Sequence, residues 1–401
     1  MPRTLVPRRR ACVIIVENLP VPFDRHVWQQ ALALRDADWA VTVICPTGPS
    51  AQLKHERLEG IEIYRHGLPL EARGGLAGYA LEYGAALFHE LRLLIRVALK
   101  GRFDVIHACN PPDVIFLVAA PFKLFGVRFV FDQHDLSPEL YESRFGRTLT
   151  HRMLLLFEKL SFKMADHVLA SNETFREIAL ERGGKSPEQV SVVHTIPDAL
   201  HLRVAEPDRT ARRGKRLVVG YLGIIGFQDG LDHLVEAVAR LHAEGLTDFQ
   251  VVIIGDGPAL ESLSEKIETA NLTALFTLTG YLSGASLWAH LADFDVGVIP
   301  DPRNAFNDKI SMNKVFEYSA LGIPIVSYRL KETARLLGDA GAYAPDDTPA
   351  GLADALREML QNDDLRKRKA KQALAVAREK FDWAREASSL VAAYDRLKPP
   401  G

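Results

Sequence analysis

Short runs of β-branched and apolar residues alternate along the chain with longer stretches whose apolar positions recur every three or four residues. That alternation predicts parallel sheets joined by crossover helices. In the first half the strand-like runs are residues 12–16, 41–45, 104–107, 129–132, 168–171 and 190–194. Val27, Ala31 and Leu34 fall at helical spacing between the first two, so the opening unit reads as strand, helix, strand. A second series of strand-like runs covers residues 217–221, 250–254, 276–279, 295–299 and 324–327. Leu352, Leu356, Met359 and Leu360 then mark an amphipathic helix, and residues 366–380 continue as a basic helical stretch ending near Phe381-Asp382-Trp383.

The two series predict two doubly wound, Rossmann-like domains, and 401 residues exceed what one hydrophobic core sustains. The expected division is residues 1–204, a polar hinge at 205–215, a second domain at 216–383 and a tail helix at 384–401 packing back on the first domain. Ligands in such sheets bind where the C-terminal ends of the strands converge, so the active site is expected in a central cleft that both domains face.

Composition narrows the function classes. With 47% hydrophobic and 25% charged residues the chain is an ordinary globular protein. Its 49 basic and 51 acidic side chains cancel, leaving no global field for nucleic acid, which is excluded as a partner. Cys12, Cys45 and Cys109 lack the spacing of a metal or redox pair, which fits a reducing cytoplasm. The apolar run after Arg8-Arg9-Arg10 is ended by Glu17, too early for a signal peptide, and is read as a buried first strand. The longest uncharged apolar run, residues 114–122, is too short to span a membrane. The expectation is a cytoplasmic protein, soluble or peripheral at the inner membrane face.

The most informative segment is residues 311–326. Ser311 is suited to cap a helix reaching Leu321, Gly322 to the left-handed position beyond it, and Pro324 to the start of a strand. A helix N-terminus presents free N–H groups to a diphosphate, and Lys314 in that first turn opposes the helix dipole unless an anion is close. Glu317, one turn along, is placed to accept two ribose hydroxyls; a solvated Lys and Glu on a surface helix is the bland alternative.

The run Asn313-Lys314-x-Phe316-Glu317-Tyr318-x-Ala320-x-Gly322-x-Pro324 resembles the donor-site signature of family 4 retaining glycosyltransferases of the GT-B fold. The subgroup it looks closest to builds bacterial surface and exopolysaccharides, and shares Val21-Pro22-Phe23-Asp24-Arg25-x-Val27-Trp28 and His134-Asp135-Leu136-x-Pro138-Glu139. The resemblance implies that Glu317 holds the donor ribose as the second glutamate of a Glu-x7-Glu motif; the first position here is Lys309. In the loop at residues 223–230, Ile224 and Asp229 stand where the family carries Arg and Lys for the phosphates. Neutralising the diphosphate then falls to Lys314, the helix end at Ser311, Met312 and Asn313, and the backbone of Gly223 and Gly226, with Lys309 or Arg303 assisting. By the same resemblance Gly255 borders the nucleotide, and Tyr281 and Leu282 meet the base. Taken alone, the glycine clusters read as tight turns, and no dinucleotide fingerprint is completed.

His134 follows a strand and by resemblance is set against the transferred sugar; a hydrogen-bonded structural histidine is the plain alternative. Asp135 is the accompanying carboxylate, although carboxylates entering a helix often only cap it. The residues 110–113, Asn-Pro-Pro-Asp, read as a rigid turn. Arg92, Arg96, Lys100 and Arg102 read as surface-helix charge, with an anionic membrane or lipid diphosphate as the alternative.

The activity implied is retaining transfer from a nucleotide sugar, uridine first and guanosine second, to a saccharide or polyprenyl-diphosphate-linked acceptor. No cofactor or metal is expected. Asp36-x-Asp38 and Asp293-x-Asp295 precede strands and so lie away from the ligand end. A nucleotide-sugar 2-epimerase and a non-catalytic binding subunit are the alternatives.

Overall fold

The computed structural model describes residues 9–48, 51–67, 76–196 and 205–397. The chain forms two compact units, residues 1–195 with 384–401, and residues 196–383.

Unit 1 contains β1 (Ala11–Ile15), α1 (Arg25–Asp36), β2 (Ala40–Pro46), β3 (His55–Leu58), β4 (Ile61–His66), α2 (Leu76–Lys100), β5 (Val105–Cys109), α3 (Phe116–Lys123), β6 (Arg128–Gln133), α4 (Ser137–Phe145), α5 (Leu149–Met164), β7 (His167–Ala170), α6 (Glu173–Glu181) and β8 (Val190–Val192). Its sheet runs β3-β4-β2-β1-β5-β6-β7-β8, parallel throughout except for the β3–β4 pair. The chain leaves β1 toward one edge and returns to lay β5 on its other side, so the order reverses between β1 and β5. Asp24 accepts a hydrogen bond from Val27 N at 3.1 Å and starts α1, while Val27, Ala31 and Leu34 bury its inner stripe. Burying such side chains contributes about 1.5–3 kcal/mol each for the larger ones.

Strands β3 and β4 have no counterpart in the sequence reading. His55-Glu56-Arg57-Leu58 is polar and exposed at alternate positions because it forms the sheet edge. Glu59 at φ 49° and Gly60 at φ 84° form the two-residue link to β4, the twist that a tight hairpin requires.

Unit 2 contains β9 (Leu217–Leu222), α7 (Leu231–Ala243), β10 (Phe249–Ile254), α8 (Leu260–Thr269), β11 (Phe276–Gly280), α9 (Gly284–Leu291), β12 (Val296–Ile299), α10 (Asn313–Leu321), β13 (Ile325–Ser327), α11 (Lys331–Leu337), β14 (Ala342–Tyr343), α12 (Pro349–Gln361) and α13 (Asp363–Lys380). Its parallel sheet runs β11-β10-β9-β12-β13-β14 and reverses between β9 and β12. The core strands read as unbroken apolar runs because helices cover both faces.

The last helix, α14 (Trp383–Asp395), belongs with unit 1. Tyr394 packs edge-on against Trp39 with ring centroids 5.0 Å apart, and Glu386 accepts from His194 N at 2.8 Å.

Candidate functional site

In unit 2 the loops after β9 and β12 flank the switch point of the sheet, where ligands gather in open α/β folds. Lys314 lies there in the first turn of α10 and is buried. Its Nζ stands 3.2 Å from Asp301 Oδ2 and 4.5 Å from the centre of the Tyr221 ring. The anion that the helix dipole demanded is therefore supplied by the chain itself. Burial would neutralise Lys314, but the facing Asp301 carboxylate outweighs this and leaves its pKa above the ordinary lysine value. Tyr221 donates to Ile224 O at 2.7 Å, and Tyr318 accepts from Leu222 N at 2.8 Å, so both phenols brace the β9 loop around the lysine.

Backbone passes close to backbone beside this pair. Gly223 and Gly255 have φ of 154° and 151°, and a Cβ on Gly255 would lie 1.8 Å from Gly223 O. Only glycine permits that approach. Glu317 is half-buried one turn beyond Lys314, Tyr281 is exposed after β11, and Leu282 packs at the edge of the core.

One expectation is corrected. Ser311 does not cap α10. The N-cap is Met312, with no side-chain capping bond, because its buried side chain joins the core and sets where the helix begins; Ser311 Oγ is buried without a partner. Gly226 N–H, expected at a diphosphate, donates to Asp229 Oδ2 at 2.7 Å. Arg303 is engaged by Asp308 at 3.3 Å and Asp347 at 2.9 Å. Lys309 stands half-buried in the turn before α10, and Asn313 is exposed at its first position.

In unit 1 a buried network surrounds Asp132 at the end of β6. Its Oδ2 accepts from Gln30 Nε2 at 2.8 Å and from His107 Nε2 at 3.0 Å, and lies 2.9 Å from His134 Nε2. These partners hold Asp132 well below the usual carboxylate range despite its burial. Burial opposes charge on His134, yet Asp132 raises its pKa well above the ordinary value; His107 rises to about 9 for the same reason. His26 behaves oppositely. Burial and the neighbouring His134 push it down to about 3, and the Gln30 amide lies 3.0 Å from its Nε2, the geometry of a neutral acceptor. The rings of His26 and His134 meet edge-on at 4.9 Å.

Asn110 orients the segment that carries His134, since its Oδ1 accepts from His134 N at 2.6 Å and from Asp135 N at 3.2 Å. Asp135 does not cap α4, whose N-cap is Leu136, and burial raises its pKa. Sequence reasoning missed Asp301, Tyr221, His26, Gln30 and His107. Asp301 was open to discovery as an acid just beyond the C-terminal end of a strand, whereas Gln30 and His107 carry no local signal.

Two groupings of metal-ligand type, His26–Asp132–His134 and His107–Cys109–Asp132, share Asp132, whose Oδ2 is already bonded. Asp293 and Asp295 pair with Arg212 ahead of β12.

Residues 24–196 match the glycosyl transferase 4-like domain, and residues 216–362 match the glycosyl transferases group 1 family. The chain belongs to the GT-B glycosyltransferases. This glycosyltransferase is 26% identical over 358 residues to an alpha-D-kanosaminyltransferase of Streptomyces kanamyceticus, covering 84% of this chain and 90% of the relative. It is 23% identical over 397 residues to a phosphatidyl-myo-inositol mannosyltransferase of Mycobacterium tuberculosis, covering 96% and 95%. Among solved structures, Anabaena Alr3699/HepE in complex with UDP shares its fold with a TM-score of 0.71 at 13% identity, over 96% of this chain and 99% of that one.

Proposed function

We propose that this glycosyltransferase moves a sugar, with retention of anomeric configuration, from a nucleoside diphosphate donor to a saccharide or lipid-linked acceptor in cell-surface polysaccharide assembly at the cytoplasmic face. UDP-sugar is the first choice of donor, supported by the UDP in the fold neighbour.

The observation that carries this reading is Lys314, a buried cation held against Asp301 and Tyr221 at the head of α10. As the sugar takes on oxocarbenium character, negative charge grows on the departing diphosphate. Lys314 and the N–H groups of the first turn of α10 are preorganised for it, and each such contact is worth about 3–4 kcal/mol in a water-poor site. Gly223 and Gly255 let backbone approach the phosphates, Glu317 takes the ribose, and Tyr281 with Leu282 takes the base. His134, kept protonated by Asp132, serves the transferred sugar, with Asp135 beside it. No step requires a metal.

A lipid-linked acceptor and peripheral membrane contact are supported by α2. Leu81, Phe88, Ile95 and Leu99 are exposed along it, interleaved with exposed Arg92, Arg96 and Lys100.

Calorimetric titration of UDP, GDP and ADP, without added metal, into wild type, Lys314→Ala and Glu317→Ala tests the donor assignment. Selective binding of one nucleotide, weakened at least ~10-fold by each substitution, is expected. Absence of binding, or variants that bind like wild type, would remove the reading.

A further inference from the structure

The buried network that ends at His134 begins on the last helix of the chain. Helix α14 buries Glu386, Leu390, Ala393 and Tyr394, a stripe at helical spacing that packs into unit 1. Tyr394 is fully buried, and its edge-on contact with Trp39 holds the ring.

Across β5 and β6, His107 pairs with Val130 and Cys109 with Asp132, so His107 and Asp132 stand on the same face of the sheet, two positions apart along the strands. His107 meets Asp132 Oδ2 through Nε2 at 3.0 Å, and its Nδ1 lies 2.7 Å from the Tyr394 hydroxyl. A bond at each nitrogen fixes the ring plane; with one, the ring is free to turn about its Cβ–Cγ bond. Nε2–H is committed to the carboxylate. The phenol then satisfies Nδ1 whether that nitrogen is bare or protonated, because a phenol both donates and accepts.

Asp132 Oδ2 is met in turn by His107, by Gln30 on α1 and by His134, at 2.8 to 3.0 Å. Along the chain Tyr394, His107, Asp132, His134 the first three groups are withdrawn from water, whereas the His134 side chain is 20% exposed. A buried polar chain thus surfaces at the one ring assigned to the sugar. Docking α14 does not call for such a chain, since an apolar pair of the same shape in place of a buried hydrogen bond costs little.

We propose that Tyr394 and His107 are positioning residues for His134, holding the Asp132 carboxylate where it sets that ring and its charge. Neither touches substrate. The inference rests on the reading of His134 as the group set against the transferred sugar.

Tyr394→Phe removes one hydroxyl and keeps the ring. The full-length variant is assayed well below its Tm, because the same change lowers stability. Expected is a fall in kcat of ~10-fold or more with the donor KM held within ~2-fold. The NMR ring signals of His134, recorded at fixed pH without nucleotide, should shift as well. Adding Tyr394→Phe to Asp132→Asn should cost little further kcat, since the hydroxyl acts through the carboxylate. Arg10→Gln loosens α14 at its ion pair with Asp395, 2.7 Å long, and should leave kcat and the His134 signals unchanged.

The proposal is overturned if Tyr394→Phe leaves the His134 signals in place, if it lowers kcat no more than Arg10→Gln does, or if its loss adds in full to that of Asp132→Asn. Should Asp132→Asn fail to fold, the comparison with Arg10→Gln decides. The NMR readout needs no donor. Absence of turnover with every nucleotide sugar would therefore remove the sugar-transfer reading of His134, while the ring signals still decide the coupling.

Discussion

Asp301 Oδ2 and Lys314 Nζ meet at 3.2 Å with both side chains withdrawn from water. Removing one member of such a pair leaves a buried charge uncompensated, at a cost of about 3–5 kcal/mol. Asp301→Asn should lower the urea midpoint of unit 2 accordingly, and adding Lys314→Met should restore most of the loss. If UDP occupies the site as proposed, it should raise the Tm of Asp301→Asn by more than that of wild type, since the diphosphate replaces the missing anion.

Gly255 is confined both by the facing backbone of Gly223 and by its own dihedral angle. A Cβ there would lie 1.8 Å from Gly223 O, at a φ of 151°. Gly255→Ala should therefore destabilise unit 2 by ~2–4 kcal/mol, read as a fall in Tm. A neutral substitution would show that this backbone contact gives way easily.

Protonation in the Asp132 network carries a sign that can be checked. His26 titrates at about 3 when folded, against ~6.5 unfolded. Its folded value is depressed, so its contribution to stability is complete above ~6.5 and is lost as pH falls toward the folded value. His26→Gln keeps an acceptor for Gln30 but cannot take a proton. Its stability deficit relative to wild type should shrink as pH falls from 6.5 to 4, by at most ~1.4 kcal/mol per pH unit. A constant deficit would mean that His26 is not kept neutral.

His134 and Asp132 mark the two other edges. The folded value of His134 is raised, so its contribution is complete below ~6.5 and lost as pH rises through that value; that of Asp132 is complete above ~3.9 and lost as pH falls through its depressed value. Asp132→Asn should return the His134 imidazole toward its ordinary titration range, followed by NMR of the ring protons. It should also lower activity at neutral pH more than at mildly acidic pH, where His134 regains its proton.

The extent to which the fold was legible follows from which signals are local. The strands of unit 2 stood out because covered parallel strands are uninterrupted apolar runs, and Gly322 at φ 68° ends α10 where its sequence says it should. Edge strand β3 was hidden because its residues are chosen for water on one side. Lys314 was conspicuous as a cation at the wrong end of a helix, yet its partner Asp301 lies thirteen positions earlier and only the fold joins them. Asn110 read as part of a turn, and its work in orienting His134 depends on strands β5 and β6 being neighbours. The start of α10 was misjudged by one residue because burial of Met312 overrode the capping preference of Ser311.

Tyr394 also has a bearing on stability. Its hydroxyl lies 2.7 Å from His107 Nδ1 in a buried setting, so Tyr394→Phe should cost about 1–3 kcal/mol, read from the urea transition of unit 1.

Because α14 completes unit 1 from the far end of the chain, the order of synthesis matters. The partner of His107 is made 287 residues after it. At ~5–20 residues per second, a ribosome leaves His107 waiting for roughly 15–60 seconds before its partner on the last helix is made. Unit 2 is contiguous and has no such delay. A chain interrupted anywhere before residue 383 thus carries an unfinished first unit, whatever the state of the second, and becomes a natural client for chaperones or proteases.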